Sequence, residues 1–140
     1  MGQLDRLTGW HEVFDRLQVG VAAFTTDKPK DSAGFVATTG ARFPILSDHR
    51  GKLANQLRIR NRAYRPGDQA YGVPHPGIIY VGPDGTVLGK AARRGFQNRP
   101  SFEAVVKMVM QAQQAQGWAA PESIISSTPS KETSADRAAR

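Results

Sequence analysis

The chain has 140 residues, 39% of them hydrophobic and 22% charged, which is the balance of a globular domain rather than of a disordered or membrane-spanning chain. It contains no cysteine, which excludes disulfides, thiolate nucleophiles and thiolate metal ligands from this chain. Its formal net charge of +7 could attract nucleic acid or acidic partners, but no nucleic-acid-binding motif accompanies the charge, and the solubility of a basic domain is the favoured interpretation. With no signal peptide and no apolar run of about 18 residues, the sequence predicts a cytoplasmic protein.

Helices and strands alternate in the first part of the chain. Apolar residues recur at three- and four-residue steps from Leu4 to Leu17, which is the pattern of a helix with one buried face. The short apolar run VGVAAFT has the length of a buried strand. Asp31 or Ser32 is placed to cap the next helix, and Gly40 to end it. The predicted helices are 3–17, 32–40 and 51–59, and the predicted strands are 19–25 and 44–48.

A hairpin and a long helix follow in the second part. Residues 77–82 form an apolar strand, a Pro-Asp-Gly turn reverses the chain, and residues 86–92 return as the second strand. Residues 101–116 carry a core-facing apolar stripe at helical spacing. The stretch 118–140 is rich in Ser, Thr and Pro and is predicted to be disordered, which leaves one domain over residues 1–117.

The order of these elements, αβαβα followed by a β-hairpin and a helix, defines the fold class. Alternating helices and strands predict parallel strands joined by crossover helices, and the hairpin adds an antiparallel pair. The sequence therefore predicts an α/β protein with a mixed sheet and helices on both faces.

Four stretches, in chain order, carry a resemblance to a known family: FDRLQVGVAAFTTDKP, GARFPILSDHRGKLANQLRI, YGVPHPGIIYVGPDGTVL and GFQNRPSFEAVVKMV. Together they span about residues 13–110. Their order and spacing are similar to those of the redoxin branch of the thioredoxin superfamily, the peroxiredoxin-like alkyl hydroperoxide reductase/thiol-specific antioxidant (AhpC/TSA) family. The resemblance implies a thioredoxin-like fold, with three α/β/α layers around a mixed sheet.

The resemblance also places a site. In thioredoxin-fold proteins the proline at the position of Pro76 precedes a buried strand and follows a cis peptide bond, so a cis His75–Pro76 bond is expected here. His75, Pro76 and Gly77 would then lie on the active-site face. Two trans prolines in a surface loop are the alternative.

The nucleophile of the family is missing. In the family the redox cysteine lies at the start of the first helix, just after the first core strand, and this sequence begins inside that helix. The strand, the cysteine loop and the motif Pro-x-x-x-Ser/Thr-x-x-Cys are absent, and Pro76 stands where typical peroxiredoxins have an arginine. We expect an N-terminally truncated member, for which a start codon assigned too late is one explanation.

The missing strand has a structural consequence. In the family it lies between the strands that match 19–25 and 77–82, so its absence would leave a gap of about two strand spacings of ~4.8 Å each. Three outcomes are open: the two strands close up and pair directly, a partner supplies the strand, or the chain is part of a longer protein. The sequence favours the last of these.

By this resemblance the chain is a peroxiredoxin-like thiol oxidoreductase of the antioxidant class that is inactive without its cysteine. Full-length relatives use a thiol reductant and a peroxide or disulfide substrate. The alternative is a non-catalytic interaction module that binds an extended peptide or a partner strand. No catalytic residue, no cofactor and no membrane partner are predicted, and the oligomeric state is left open.

Two other groups of residues are candidates for a binding site. The three histidines lack metal-ligand spacing, so no metal site is predicted. Arginines cluster around Tyr64, which could stack on a base, but a solvated basic loop is the favoured interpretation. The histidines are His11, His49 and His75, and the arginines are Arg58, Arg60, Arg62, Arg65, Arg93, Arg94 and Arg99.

Overall fold

The computed structural model describes residues 3–92 and 99–118. Four α-helices and four β-strands occupy these ranges. The helices are α1 (Gln3–Arg16), α2 (Pro29–Thr39), α3 (Lys52–Gln56) and α4 (Phe102–Ala115), and the strands are β1 (Ala23–Thr25), β2 (Ile45–Ser47), β3 (Gly77–Val81) and β4 (Val87–Ala92). A single 3₁₀ turn, His49–Gly51, leads into α3. The predicted disordered tail, apart from Trp118, lies outside the described residues.

The two long helices, α1 and α4, form the main core together with β3. In α4 the predicted start is confirmed, because the Ser101 hydroxyl accepts a hydrogen bond from the Ala104 backbone N–H at 3.2 Å. The rings of Trp10 in α1 and Phe102 in α4 lie 5.9 Å apart. The buried core residues are Trp10, Val13, Phe14, Leu17, Tyr80, Phe102, Val105, Val106 and Val109.

The sheet is divided into two pieces. Strands β1 and β2 pair in parallel, with Phe24 opposite Leu46. Strands β3 and β4 pair antiparallel, with Tyr80 opposite Gly89 and a bulge next to it. Within the described ranges no strand joins β1 to β3. The parallel and antiparallel pairs of the predicted mixed sheet are both present, and β1 and β3 have not closed up to pair directly.

Helices α2 and α3 differ from their predicted bounds at their starts. Helix α2 begins at Pro29, with Lys28 rather than Asp31 or Ser32 at the N-cap, because proline is favoured in the first helical turn. Gly40 ends it as predicted, with a left-handed φ of 67° and its N–H bonded to the Val36 carbonyl.

Helix α3 is preceded by a cap that the apolar pattern did not reveal. The buried carboxylate of Asp48 accepts hydrogen bonds from the N–H groups of Leu53 and Ala54 at 2.8 and 2.9 Å. These bonds satisfy two backbone donors at the start of the helix. The predicted helix over 51–59 is thus shortened to Lys52–Gln56 behind a 3₁₀ turn.

Candidate functional site

A cavity of about 1440 Å³ lies where the two pieces of sheet face each other. Every residue of 17–25, which includes β1, and every residue of 73–83, which includes β3, contributes to its lining. Successive side chains of a strand point to opposite faces, so a cavity on one face touches only alternate residues. Contact with consecutive residues means that the cavity borders the edges of β1 and β3. We call this space the slot.

Apolar side chains from all four helices line the slot. Helices α1 and α4 contribute one group and helices α2 and α3 another. The first group includes Phe14, Leu17, Phe102, Val105 and Val109, and the second includes Phe35 and Leu53. Whatever occupies the slot therefore meets hydrophobic side chains from both layers of helices.

The edge of β1 that borders the slot carries backbone groups without a strand partner. The Ala23 N–H donates to the Pro44 carbonyl at 2.9 Å, and the Asp48 N–H donates to the Thr25 carbonyl at 2.7 Å. Backbone groups alternate in direction along a strand, so those of Phe24, between Ala23 and Thr25, point away from β2 and into the slot.

The facing edge of β3 has the same property. The Gly82 N–H donates to the Thr86 carbonyl at 2.8 Å, which places Gly82 and, by alternation, Tyr80 on the side of β4. The backbone groups of Ile79 and Val81 then point into the slot. Phe24 and Ile79 are half-buried and Val81 is exposed, so an added strand can reach the unpaired backbone groups of both edges.

The three residues predicted on the active-site face all line the slot. His75, Pro76 and Gly77 form the stretch that leads into β3. The predicted cis bond between His75 and Pro76 is wrong, because the described residues contain no cis peptide bond. The His75 N–H donates to the Ile59 carbonyl at 2.8 Å, and the backbones of Arg60 and Pro74 form an isolated antiparallel β-bridge. This short antiparallel pairing holds the approach to β3 in an extended conformation.

Two residues that line the slot have an unfavourable backbone conformation. Gln18 and Arg58 both have a φ of 57°, although neither is glycine. Each follows the C-terminus of a helix, where the Val19 N–H reaches the Phe14 carbonyl at 3.0 Å and the Ile59 N–H reaches the Ala54 carbonyl at 2.9 Å. Glycine is the usual residue at such a position, and other L-residues cost about 1–2 kcal/mol more. No sequence pattern indicated these positions.

The charges around the slot are of one sign. Arg58, Lys90 and Arg99 are among its lining residues, and the described lining residues include no aspartate or glutamate. Arg58 directly precedes Ile59, the residue that accepts the hydrogen bond from His75. It therefore stands at the end of the slot where β3 begins.

The remaining candidate residues do not gather into a second site. His11 Nδ1 lies 3.1 Å from Asp15 Oδ2 within α1, His49 lies in the 3₁₀ turn, and only His75 lines the slot. Among residues 3–92 and 99–118 no group of three or more metal-binding side chains occurs.

The arginine cluster is partly used inside the protein. Arg60 Nη1 donates to the Tyr71 hydroxyl at 2.6 Å, and its guanidinium carbon lies 5.0 Å from the centre of that ring. Arg60 is therefore engaged with a tyrosine of its own chain. Tyr64, the ring proposed to stack on a base, is 37% exposed.

Hydrogen bonds within the hairpin turn displace the pKa of Asp84. The Thr86 backbone N–H and the Thr86 hydroxyl donate to its carboxylate at 3.0 and 2.9 Å. These bonds hold the pKa of Asp84 below its ordinary value of 3.8, because they stabilise the ionised form. The residue is fully exposed in the hairpin turn, so its role is to shape the turn, as the Pro-Asp-Gly pattern predicts.

The order of helices and strands around the slot is that of a thioredoxin-like fold. A solved structure with a similar fold is that of the peroxidoxin BcpB from Mycobacterium tuberculosis, with a TM-score of 0.62 and 18% sequence identity over 80% of this chain and 67% of that one. The model of the AhpC/TSA family matches residues 2–89, which is more than half of the chain. The chain belongs to the AhpC/TSA family.

The comparisons confirm the resemblance and the fold class. They support a peroxiredoxin-like thiol oxidoreductase family for a chain that itself contains no cysteine. No curated protein matches the chain. Among the described residues, no helix combines the length and the apolar character needed to cross a membrane.

Proposed function

We propose that this chain is a non-catalytic member of the AhpC/TSA family that acts by binding an extended polypeptide segment in the slot. The observation that carries the proposal is the pair of facing strand edges, β1 and β3, on either side of one apolar cavity. An extended segment is the kind of occupant that can pair with both edges at once, since a helix satisfies its own backbone groups.

The absence of thiol chemistry supports the same proposal. Peroxide reduction in this family needs a thiolate that attacks the O–O bond and is then regenerated by a thiol reductant. None of the 140 residues is a cysteine, so no group of this chain can perform the attack or form the mixed disulfide. Thiol reductants and peroxides, the partners of the family, are therefore not proposed as partners of this chain alone.

The size of the slot also favours a polypeptide segment over a small molecule. Sites for small molecules usually enclose about 300–1,000 Å³, whereas the slot measures about 1440 Å³. It also runs along the length of a five-residue strand, Gly77–Val81. A compact ligand would leave most of the two edges unpaired.

The lack of catalysis is tested with a peroxide-consumption assay. The chain is incubated with hydrogen peroxide or an alkyl hydroperoxide and excess dithiothreitol, with a cysteine-containing peroxiredoxin as the positive control. We expect a rate equal to that of buffer with dithiothreitol alone. A rate that rises in proportion to the concentration of this chain would overturn the non-catalytic assignment.

Binding is tested by selecting displayed random peptides on the full chain and mapping the contact by hydrogen exchange. Selected peptides are expected to slow exchange of the Phe24 and Ile79 amides, which point into the slot, while leaving the exposed helix amide of Gln114 unchanged. Selection of peptides that protect neither Phe24 nor Ile79 would contradict binding in the slot.

A further inference from the structure

The walls of the slot determine which side chains an occupant presents. This inference rests on the proposed function, since it names the chemistry of the segment that the slot binds. Side chains on both faces of an inserted strand would meet apolar residues of the helices, such as Phe14 on one side and Phe35 on the other. Strands buried on both faces are continuously apolar rather than alternating. The pairing length of β3, five residues, sets the length of the apolar run.

The ends of the slot determine its charge preference. The charged side chains that line the slot are all cationic, and among the described residues no carboxylate lines it. Arg58 is exposed, lies at the end where β3 begins, and belongs to no ion pair formed between described residues. An acidic group placed there meets a guanidinium for which no carboxylate of residues 3–92 or 99–118 competes.

The backbone at Arg58 offers a matched control. Its left-handed φ of 57° disfavours any residue except glycine, asparagine or aspartate. Arg50 has a similar φ of 65° and is also exposed, but it does not line the slot. Comparing the two arginines therefore separates the use of the side chain in the slot from the effect of the backbone conformation.

We infer that the slot recognises one extended segment of another polypeptide, with five consecutive apolar residues and an acidic residue at the end that lies beside Arg58. The backbone of the segment pairs with β1 on one side and β3 on the other. Its apolar residues fill the space between the two layers of helices, and its carboxylate bonds to the guanidinium.

The probes are capped synthetic peptides with a core of five valine, leucine and phenylalanine residues. One set carries glutamate at the N-terminal end of the core and another at the C-terminal end, and each has a matched peptide with glutamine in its place. Isothermal titration with the full 140-residue chain gives the affinities. In one of the two sets we expect the glutamate peptide to bind about tenfold more tightly than the glutamine peptide.

Two glycine variants test the role of the arginine without threatening the fold. Arg58→Gly removes the charge and relieves the unfavourable φ, and Arg50→Gly makes the same change at an arginine outside the slot. We expect the tenfold preference for glutamate to disappear in Arg58→Gly and to persist in Arg50→Gly. Both variants should melt at a higher temperature than the parent chain, so weaker binding by Arg58→Gly cannot be a folding defect.

The possible outcomes separate this inference from the proposed function. Peptides that protect the Phe24 and Ile79 amides but show no preference for glutamate, or a preference that Arg58→Gly retains, overturn the acidic partner and leave strand binding intact. Failure of every apolar peptide to bind overturns both. A dimer that sedimentation detects and that the peptides do not dissociate assigns the slot to a second copy of the chain and overturns the inference. Equal affinity for a peptide whose apolar core is interrupted by proline also overturns it, since proline has no N–H and cannot pair with both edges.

Discussion

Two glycines hold the loop that brings His75 to the slot. Gly51 and Gly72 approach each other backbone to backbone, with φ values of 66° and 95°. A Cβ on Gly51 would lie 2.6 Å from the Gly72 Cα, which is closer than real Cβ atoms come to backbone. Since Gly72 lies just before the stretch that pairs with Ile59, this contact fixes where that stretch begins.

The cost of this contact can be separated from the cost of the backbone conformation. Gly51 and Gly40 have nearly equal φ values of 66° and 67°, but a Cβ on Gly40 would meet nothing within 4 Å. We expect Gly40→Ala to lower the free energy of unfolding by about 1 kcal/mol through φ alone. Gly51→Ala should lower it by roughly 2–4 kcal/mol, because overpacking against backbone adds to the same conformational cost.

Urea denaturation of the two variants measures both losses. The slope of the transition serves as the control, since an unchanged slope means that the same surface is exposed on unfolding. Equal losses for Gly51→Ala and Gly40→Ala would show that the loop moves aside at no cost, and the contact would then not position His75.

At the scale of elements, local patterns predicted the helices and the hairpin well. The apolar spacing between Leu4 and Leu17 and the cap at Ser101 act within one element, so the sequence contains all that they need. The turn at Asp84 is of the same kind, because its hydrogen bonds come from Thr86, two residues away. The stretch 75–77, which its match to the family predicts on the active-site face, lines the slot, and its role as a site stays a prediction.

Strand length and loop conformation could not be predicted in the same way. The apolar run 19–25 yields only the three-residue strand β1, since a strand extends as far as its neighbours pair with it and one neighbour is missing. The stretch that holds the trans His75–Pro76 bond pairs with Ile59, which is distant in sequence and which no local pattern identifies. The left-handed φ of Arg58 carries no signal in its residue type.

The packing of α4 against α1 depends on one buried polar side chain. Gln113 Nε2 donates to the Leu17 carbonyl at 2.9 Å, at the end of α1 and 96 residues away in sequence. Gln113→Met keeps the length of the side chain but leaves this carbonyl without its donor. We expect a loss of about 1–3 kcal/mol in the free energy of unfolding, the cost of a buried polar group without a partner.

The matched control for Gln113 is its neighbour on the exposed side of α4. Gln114→Met makes the same substitution in the same helix at an exposed residue, so it should change stability by less than about 0.5 kcal/mol. Chemical denaturation followed by circular dichroism gives both values. If the two methionine variants are equally stable, the hydrogen bond contributes nothing to holding α4 on α1.

For the whole molecule, the distribution of buried side chains is uneven. The nine buried residues of the core cluster come from α1, its following turn, β3 and α4, and none comes from β1, β2 or α2. Regions with few buried contacts open at lower free energy than the rest of a protein. With the slot between them, the β1–β2 pair is expected to open separately from the core cluster.

Native-state hydrogen exchange tests this separation. The Ala23 and Asp48 amides, which bond to the Pro44 and Thr25 carbonyls, should exchange at a lower free energy than the Val109 amide in α4. Val105→Ala, at a residue only 1% exposed, should lower the value for α4 by about 2 kcal/mol and leave the values for β1–β2 unchanged.

Val87→Ala is the control for that substitution, because Val87 is 54% exposed and its truncation removes little buried surface. It should leave both groups of amides as they are. If Val105→Ala instead lowers the exchange free energies of Ala23, Asp48 and Val109 by the same amount, the two pieces of sheet unfold as one unit. The slot would then lie within a single cooperative structure, and an occupant would stabilise all of it equally rather than β1–β2 most.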